Sequence, residues 1–297
     1  MHTLILGAGY SGRYIAGKAQ ELGSVCGTRR TAEGVAELTS HNLAGCILDD
    51  EVSTAVAGQL SRVTHLLVSV PPQRQLPLHD PMLELLRQPL AASAGAQAST
   101  LMESLRWIGY LSTIGVYGNH DGDWVDESTP CTSTQLRSKA RIAAEEAWQC
   151  LGRELSVPVS VLRLSGIYGP GRNAVDDARS GSRRMIVKPG QVFNRIHVQD
   201  LARATLAAAQ QRYDGILNIT DDEPAPPQDV IRYAHALLGT PAPDAQPFAT
   251  AELSSMARSF YAENKRVCNA LSKSALGFRY QYPSYREGLA SLMSSEV

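Results

Sequence analysis

Three glycines within six residues, Gly7-Ala8-Gly9-Tyr10-Ser11-Gly12, are the first groups in this chain whose spacing points to chemistry. An apolar run at 3–6 leads into them and a helical pattern at 12–22 leads out, the context in which a G-x-G-x-x-G turn aims backbone N–H groups at a phosphate. Gly7 permits a tight turn, Gly9 lets the backbone approach a pyrophosphate, and Gly12 lets the helix pack closely on the strand. Tyr10 and Ser11 ride on the same loop and are expected to share its ligand. About twenty residues on, an acidic side chain would hold the two ribose hydroxyls of NAD. Thr28-Arg29-Arg30 stand there instead. A carboxylate would repel a 2′-phosphate, whereas paired guanidiniums attract one. The expected cofactor is therefore NADP, with NAD the lesser alternative. Two ordinary surface arginines are the competing explanation.

Other chemistries find less support. The five cysteines (Cys26, Cys46, Cys131, Cys150, Cys268) form no C-x-x-C pair and have no metal-ligand spacing, so no metal is expected. They read as reduced, mostly buried thiols of a cytoplasmic protein. With 28 Lys+Arg against 29 Asp+Glu the net charge is −1, which gives no bulk field for nucleic acid or a membrane surface. No apolar stretch reaches spanning length, and the N-terminus runs straight into a strand. The expected partner is a small-molecule substrate; the oligomeric state stays open, a dimer included.

The elements that must position these residues alternate. Short apolar runs at 3–6, 25–27, 46–48, 65–70, 107–112 and 159–164 read as strands, and helical patterns at 12–22, 80–90 and 135–151 separate several of them. A small-residue segment covers 91–100. Such alternation implies βαβ units, a parallel sheet and right-handed crossovers: an α/β, doubly wound fold. Gly169-Pro170-Gly171 breaks the pattern, a helix at 199–210 and a strand at 216–219 return to it, and a helical tail follows the proline-rich patch at 224–227. The expected division is a dinucleotide-binding domain at 1–170 and 195–223, with a smaller substrate lobe at 171–194 and 224–297.

From the fifth strand onward the chain resembles the extended short-chain dehydrogenase/reductase superfamily, the NAD(P)-dependent epimerases, dehydratases and reductases. The resemblance rests on LSTIGVYG at 111–118, WVDESTP at 124–130, RLSGIYGPGR at 163–172, RIHVQDLA at 195–202, NITDDEP at 218–224 and the closing segment at 265–288. It implies a Rossmann sheet with a C-terminal substrate lobe. It also implies a reaction centre made of a hydroxyl after the fifth strand and a Tyr-x-x-x-Lys on the next helix, where the lysine lowers the phenol's pKa from about 10 so that it can exchange a proton.

Carried onto this chain, the hydroxyl is Thr113 and the lysine is Lys139, but the residue four before Lys139 is Gln135. An amide can hydrogen-bond a carbonyl and cannot serve as acid or base. The chain is thus expected to be an atypical member, either an enzyme with other proton chemistry or a cofactor-binding sensor. Tyr117, four residues past Thr113, is the nearest substitute acid or base, with side-chain packing as its other reading. A second Tyr-x-x-x-Lys, Tyr261 to Lys265, lies in the closing segment and reads as a stray match. The resemblance also assigns cofactor contacts to Asp49 after the third strand, Ser69 and Pro71 after the fourth, and Gly166 and Ile167 beside the nicotinamide. Arg172, Arg183, Arg184, Lys188 and Arg195 are candidates for an anionic substrate's phosphate, although Phe193 takes the place of the arginine that some sugar-nucleotide epimerases use. His197 reads as a structural histidine.

Overall fold

The computed structural model describes residues 1–49, 51–92, 102–181 and 184–293. The strands are β1 (His2–Leu6), β2 (Ser24–Arg29), β3 (Ala44–Ile47), β4 (His65–Val68), β5 (Trp107–Thr113), β6 (Trp124–Val125), β7 (Val159–Leu164), β8 (Gly166–Tyr168), β9 (Met185–Val187), β10 (Arg195–His197), β11 (Gly215–Ile219), β12 (Ala245–Pro247) and β13 (Arg266–Val267). Seven of them form one sheet in the order β11-β7-β5-β4-β1-β2-β3. The pairs β2–β3, β1–β2, β1–β4 and β4–β5 are parallel. The order runs outward from β1 in both directions, which is the doubly wound, Rossmann-type arrangement expected from the alternation.

The helices are α1 (Tyr10–Ala19), α2 (Ala32–Ser40), α3 (Thr54–Leu60), α4 (Pro81–Ala92), α5 (Leu136–Leu155), α6 (Ala174–Arg179), α7 (Val198–Gln211), α8 (Pro227–Leu238), α9 (Ser255–Tyr261), α10 (Ala270–Leu276) and α11 (Tyr285–Met293). Side-chain caps fix several starts: Thr31 accepts from Gly34 N–H at α2, Ser53 from Val56 N–H at α3, and Asp80 from Met82 and Leu83 N–H at α4. Neither α2 nor α3 was among the helices expected from periodicity; both are short, and the cap residues were their clearest signals. The first helix begins at Tyr10, two residues earlier than its apolar pattern suggests, and closes with a 3-10 turn at Gln20–Leu22. Most of the small-residue segment, 93–100, lies outside the described residues.

The chain divides into two compact units. The first takes its described residues from 1–116, 134–163 and 201–217. Its core is built on strand residues that face helices, including Leu4, Leu66, Ile108 and Val161, with Trp148 of α5 stacked on Tyr110 at 6.3 Å between ring centroids. The second takes its described residues from 117–133, 164–200 and 218–293. It holds three two-stranded pairs, β8–β10, β9–β12 and β6–β13, all parallel. Its core gathers Tyr168, Val175, Val230, Tyr285 and Leu289 from β8, α6, α8 and α11. All five cysteines are free thiols, with Cys26 and Cys46 Sγ 3.6 Å apart across β2 and β3. Among the described residues no helix is long and apolar enough to cross a membrane, and no group of three acidic, histidine or cysteine side chains is placed to hold a metal.

Candidate cofactor and active site

The glycine loop joins β1 to α1 in the first unit. Gly7 has φ +84°, and a Cβ there would sit 2.7 Å from Val70 Cγ2, so the residue must be glycine both for its backbone and for the approach of the loop after β4. Thr28, at the end of β2, braces the turn from behind. Its Oγ1 accepts from Gly7 N–H at 3.0 Å and its carbonyl accepts from Ala8 N–H at 2.9 Å. Thr28 is buried and faces loop backbone. Gly9 is the N-cap of α1, with no side-chain cap and no acidic residue in the first turn. A Cβ on Gly9 would meet nothing within 4 Å, whereas one on Gly12 would lie 3.1 Å from Gly7 O. Tyr10 and Ser11 are half-buried on the first turn of α1, and Tyr10 packs on Tyr14 at 5.3 Å.

The two arginines after β2 have different environments. Arg29 lies along α2, where a Cβ on Gly34 would fall 2.8 Å from its Nε. Its Nη1 donates to Ala8 O at 3.0 Å and its Nη2 pairs with Glu37 Oε2 at 2.5 Å. Glu37 Oε1 in turn pairs with Arg13 Nη1 at 3.0 Å, so one carboxylate on α2 bridges a guanidinium on α1 and one on β2. Arg30 is exposed, with no ion-pair partner among the described residues. Asp49 is exposed and accepts from Glu51 N–H at 3.4 Å, a local turn contact. Ser69 is half-buried and its N–H donates to Leu6 O at 2.9 Å; Pro71 beyond it is exposed. Glu37 carried no signal in the sequence, because nothing there links a helix residue to a cation eight positions back across a turn.

At the end of β5, Thr113 Oγ1 accepts from Gly115 N–H at 3.1 Å and so caps the 3-10 turn Ile114–Tyr117. Gln135 is the N-cap of α5, and its carbonyl accepts from Ser138 and Lys139 N–H at 2.9 and 3.0 Å. Lys139 is exposed on that first turn while Ser138 beside it is buried. A Cβ on Gly115 would lie 3.4 Å from both Thr113 Oγ1 and Ser138 Oγ, so the glycine is what brings the end of β5 against the start of α5.

Behind Thr113 lies a polar cluster that the sequence reading did not single out. Glu145 of α5 accepts from Arg163 Nη2 at 2.8 Å and from Arg163 Nε, and the Ser112 hydroxyl donates to it. Both charged side chains are almost fully enclosed, at 5% and 4% exposure. Arg141, one turn earlier on α5, donates to Leu111 O at 2.6 Å and to Tyr110 OH at 3.2 Å. Burial pushes the Tyr110 phenol well above its ordinary range. The available signal was Arg163 itself, an arginine inside the apolar strand VSVLRL that demands a buried partner.

In the second unit, Tyr117 is fully enclosed and its hydroxyl donates to Asn218 Oδ1 at 2.8 Å. Gly166 N–H donates to Asn194 O at 3.1 Å, and Gly166 and Ile167 pair with Arg195 and Ile196 through β8 and β10. Arg195 donates to the carbonyls of Phe193 and Ala225, Lys188 to that of Tyr261, and Arg184 to that of Glu252. Arg172 is exposed, and Arg183 lies outside the described residues. Lys265 Nζ is taken up by Gly118 O at 2.5 Å and Glu263 at 3.1 Å. His197 is packed between Tyr168 and Tyr282, at 5.2 and 4.0 Å between ring centroids, and burial lowers its pKa to about 4.

Residues 3–220 match the model of the NAD dependent epimerase/dehydratase family. The chain belongs to that family. The resemblance read from the motifs therefore holds at family level, and with it a nicotinamide dinucleotide as the family's cofactor. A conserved protein of unknown function from Silicibacter pomeroyi is 43% identical, with a TM-score of 0.85 over 100% of this chain and 99% of that one. The UDP-N-acetylglucosamine 4-epimerase of Bacillus cereus shares the epimerase/dehydratase fold at 14% identity, with a TM-score of 0.73 over 98% of each chain. A 3-diazoavenalumate denitrifying reductase from Streptomyces is 32% identical over 140 residues. That match spans 43% of this chain and 45% of the reductase.

Proposed function

We propose that this chain is an NADP-dependent oxidoreductase or epimerase/dehydratase-like enzyme that handles a small carbonyl, hydroxyl or sugar-nucleotide-like substrate without a phenolic acid. The observation that carries the reading is the uncapped start of α1, where Gly9 opens onto free space beside a loop held rigid by Thr28. A pyrophosphate fits that cradle: the N-terminal N–H groups and the helix dipole favour it, and no first-turn carboxylate opposes it. Gly7, Gly9, Tyr10, Ser11 and Gly12 would form the contact surface. Ser69, Pro71 and Asp49 stand on the loops after β4 and β3, where open α/β sheets take their ligands.

The exposed Arg30 is the guanidinium offered to a 2′-phosphate, and this favours NADP over NAD. When bound, the nicotinamide supplies hydride transfer to or from a substrate carbon. On the protein's side, Lys139 is the cation for ribose hydroxyls and Thr113 the hydroxyl for the substrate oxygen. Thr113 Oγ1 already accepts from Gly115 N–H, which leaves its proton free to donate. Gln135 can orient a carbonyl and cannot provide a proton. We read Tyr117 as a packing residue, since its ring is enclosed and its proton is committed to Asn218. The partial likeness to a protein named as a denitrifying reductase favours the reductive direction. Gln135 also favours a second reading, a cofactor-bound sensor without turnover. Five free thiols suit a cytoplasmic setting.

The test is titration of NADPH and NADH against the wild type and Arg30→Ala, followed by turnover with a panel of carbonyl compounds and sugar nucleotides. Arg30→Ala should weaken NADPH about tenfold and leave NADH within twofold, the loss of one charge-assisted phosphate contact. Equal weakening of both, or of neither, would remove Arg30 from the 2′-phosphate. Arg29→Ala should weaken both, because Arg29 braces the loop at Ala8.

A further inference from the structure

We infer that Glu37 is the residue that sets how strongly this chain prefers a 2′-phosphorylated dinucleotide, by holding Arg29 and Arg13 away from the phosphate. This rests on the reading that Arg30 and the corner after β2 receive the adenosine ribose. The argument is geometric. Glu37 Oε2 pairs with Arg29 Nη2 at 2.5 Å and Oε1 with Arg13 Nη1 at 3.0 Å, so both carboxylate oxygens are used on two cations from two different elements. Arg29 is further fixed by Ala8 O at 3.0 Å and by its stem lying against Gly34. Arg13 Nη1 also meets His41 Nε2 at 3.0 Å, and His41 Nδ1 meets the Glu37 carbonyl at 2.8 Å, which ties the same helix turn together.

Two cations and one anion leave a single positive charge in this bridge, beside the exposed charge of Arg30. A phosphomonoester near neutral pH carries close to two negative charges. Glu37 therefore opposes it twice, by direct repulsion and by occupying the two guanidiniums that would otherwise answer it. The ribose hydroxyls of NAD carry no charge and are indifferent to the exchange. Glu37 thus weighs more heavily on the 2′-phosphorylated cofactor than on the other. Its carboxylate is 40% exposed, so solvent tempers the effect without abolishing it.

The experiment is isothermal titration of NADPH and NADH against wild type, Glu37→Gln and Arg30→Ala, with no substrate present. Glutamine keeps the shape and an acceptor oxygen for Arg29 while deleting the charge. Glu37→Gln should tighten NADPH on the order of fivefold and leave NADH within twofold. An unchanged ratio of the two dissociation constants overturns the inference, as does weaker NADPH binding, which would make Glu37 a support that presents Arg29 to the phosphate. Arg30→Ala separates the two claims. If it collapses the ratio while Glu37→Gln does not move it, the NADP reading stands and the inference falls. If only Glu37→Gln moves the ratio, Glu37 governs preference and Arg30 is not the phosphate ligand.

Discussion

Removing the carboxylate of Glu145 should cost far more than a surface ion pair would. Arg163 and Glu145 meet through Nε and Nη2, the closest contact being 2.8 Å, and both side chains are at or below 5% exposure. Ser112 donates to the same carboxylate, so one buried acid joins β5, α5 and β7. Deleting one partner of such a pair strands the other charge in a poorly solvated place, at about 3–5 kcal/mol. Glu145→Gln keeps the acceptor geometry and should sit near the lower figure; Glu145→Ala also opens a void and should sit near the upper one. At about 2 °C per kcal/mol for a chain of this size, the melting temperature should fall ~6–10 °C. Thermal and urea unfolding followed by circular dichroism read both. The double variant Glu145→Leu/Arg163→Met has no stranded charge and should recover more than half of either loss. Should Glu145→Gln lose under about 1 kcal/mol, or the double variant lose the sum of the singles, the pair does not carry the end of β5.

Two further outcomes follow from buried titrating groups in the second unit. His197 is neutral in the fold down to about pH 4, whereas the unfolded chain takes up its proton near 6.5. Its contribution is therefore complete above pH 6.5 and declines by about 3 kcal/mol as the pH falls through that window. His197→Gln should flatten the stability-against-pH curve there, and an unaltered slope would show that the ring is not excluded from water. Asp221 runs the other way, since burial raises its carboxyl well above 3.8 and the folded form resists ionising. Its penalty grows as the pH rises from 3.8 and is absent below it. Asparagine keeps the acceptor for Glu223 N–H, so Asp221→Asn should be more stable than wild type at pH 7 and equal to it at pH 3; a loss at pH 7 would mean that the charge, held by Arg195, is favourable.

The glycine loop was legible in the sequence because its requirements are local. A positive φ at Gly7, a missing Cβ at Gly9 and a helix start directly after a strand all leave marks in neighbouring residues. Arg29 was not legible in the same way. As a sequence feature it equals Arg30, and only the fold, by laying α2 beside β2, gives one of the two a carboxylate and leaves the other in solvent. The small strands of the second unit escaped for another reason. At two or three residues each, β6, β8, β9, β10, β12 and β13 are too short to show a period, and long-range pairing alone makes them strands.

Gln135 joins these two kinds of evidence. Its identity is read from the sequence, but its meaning depends on whether the backbone around it has changed. Its φ of −70° and ψ of 131° are open to any residue, and its carbonyl accepts from Ser138 and Lys139 as the helix start requires. The glutamine side chain does not cap α5, so the helix start does not depend on the amide. The backbone at this position would therefore accept a tyrosine in place of the amide without rearranging the start of α5.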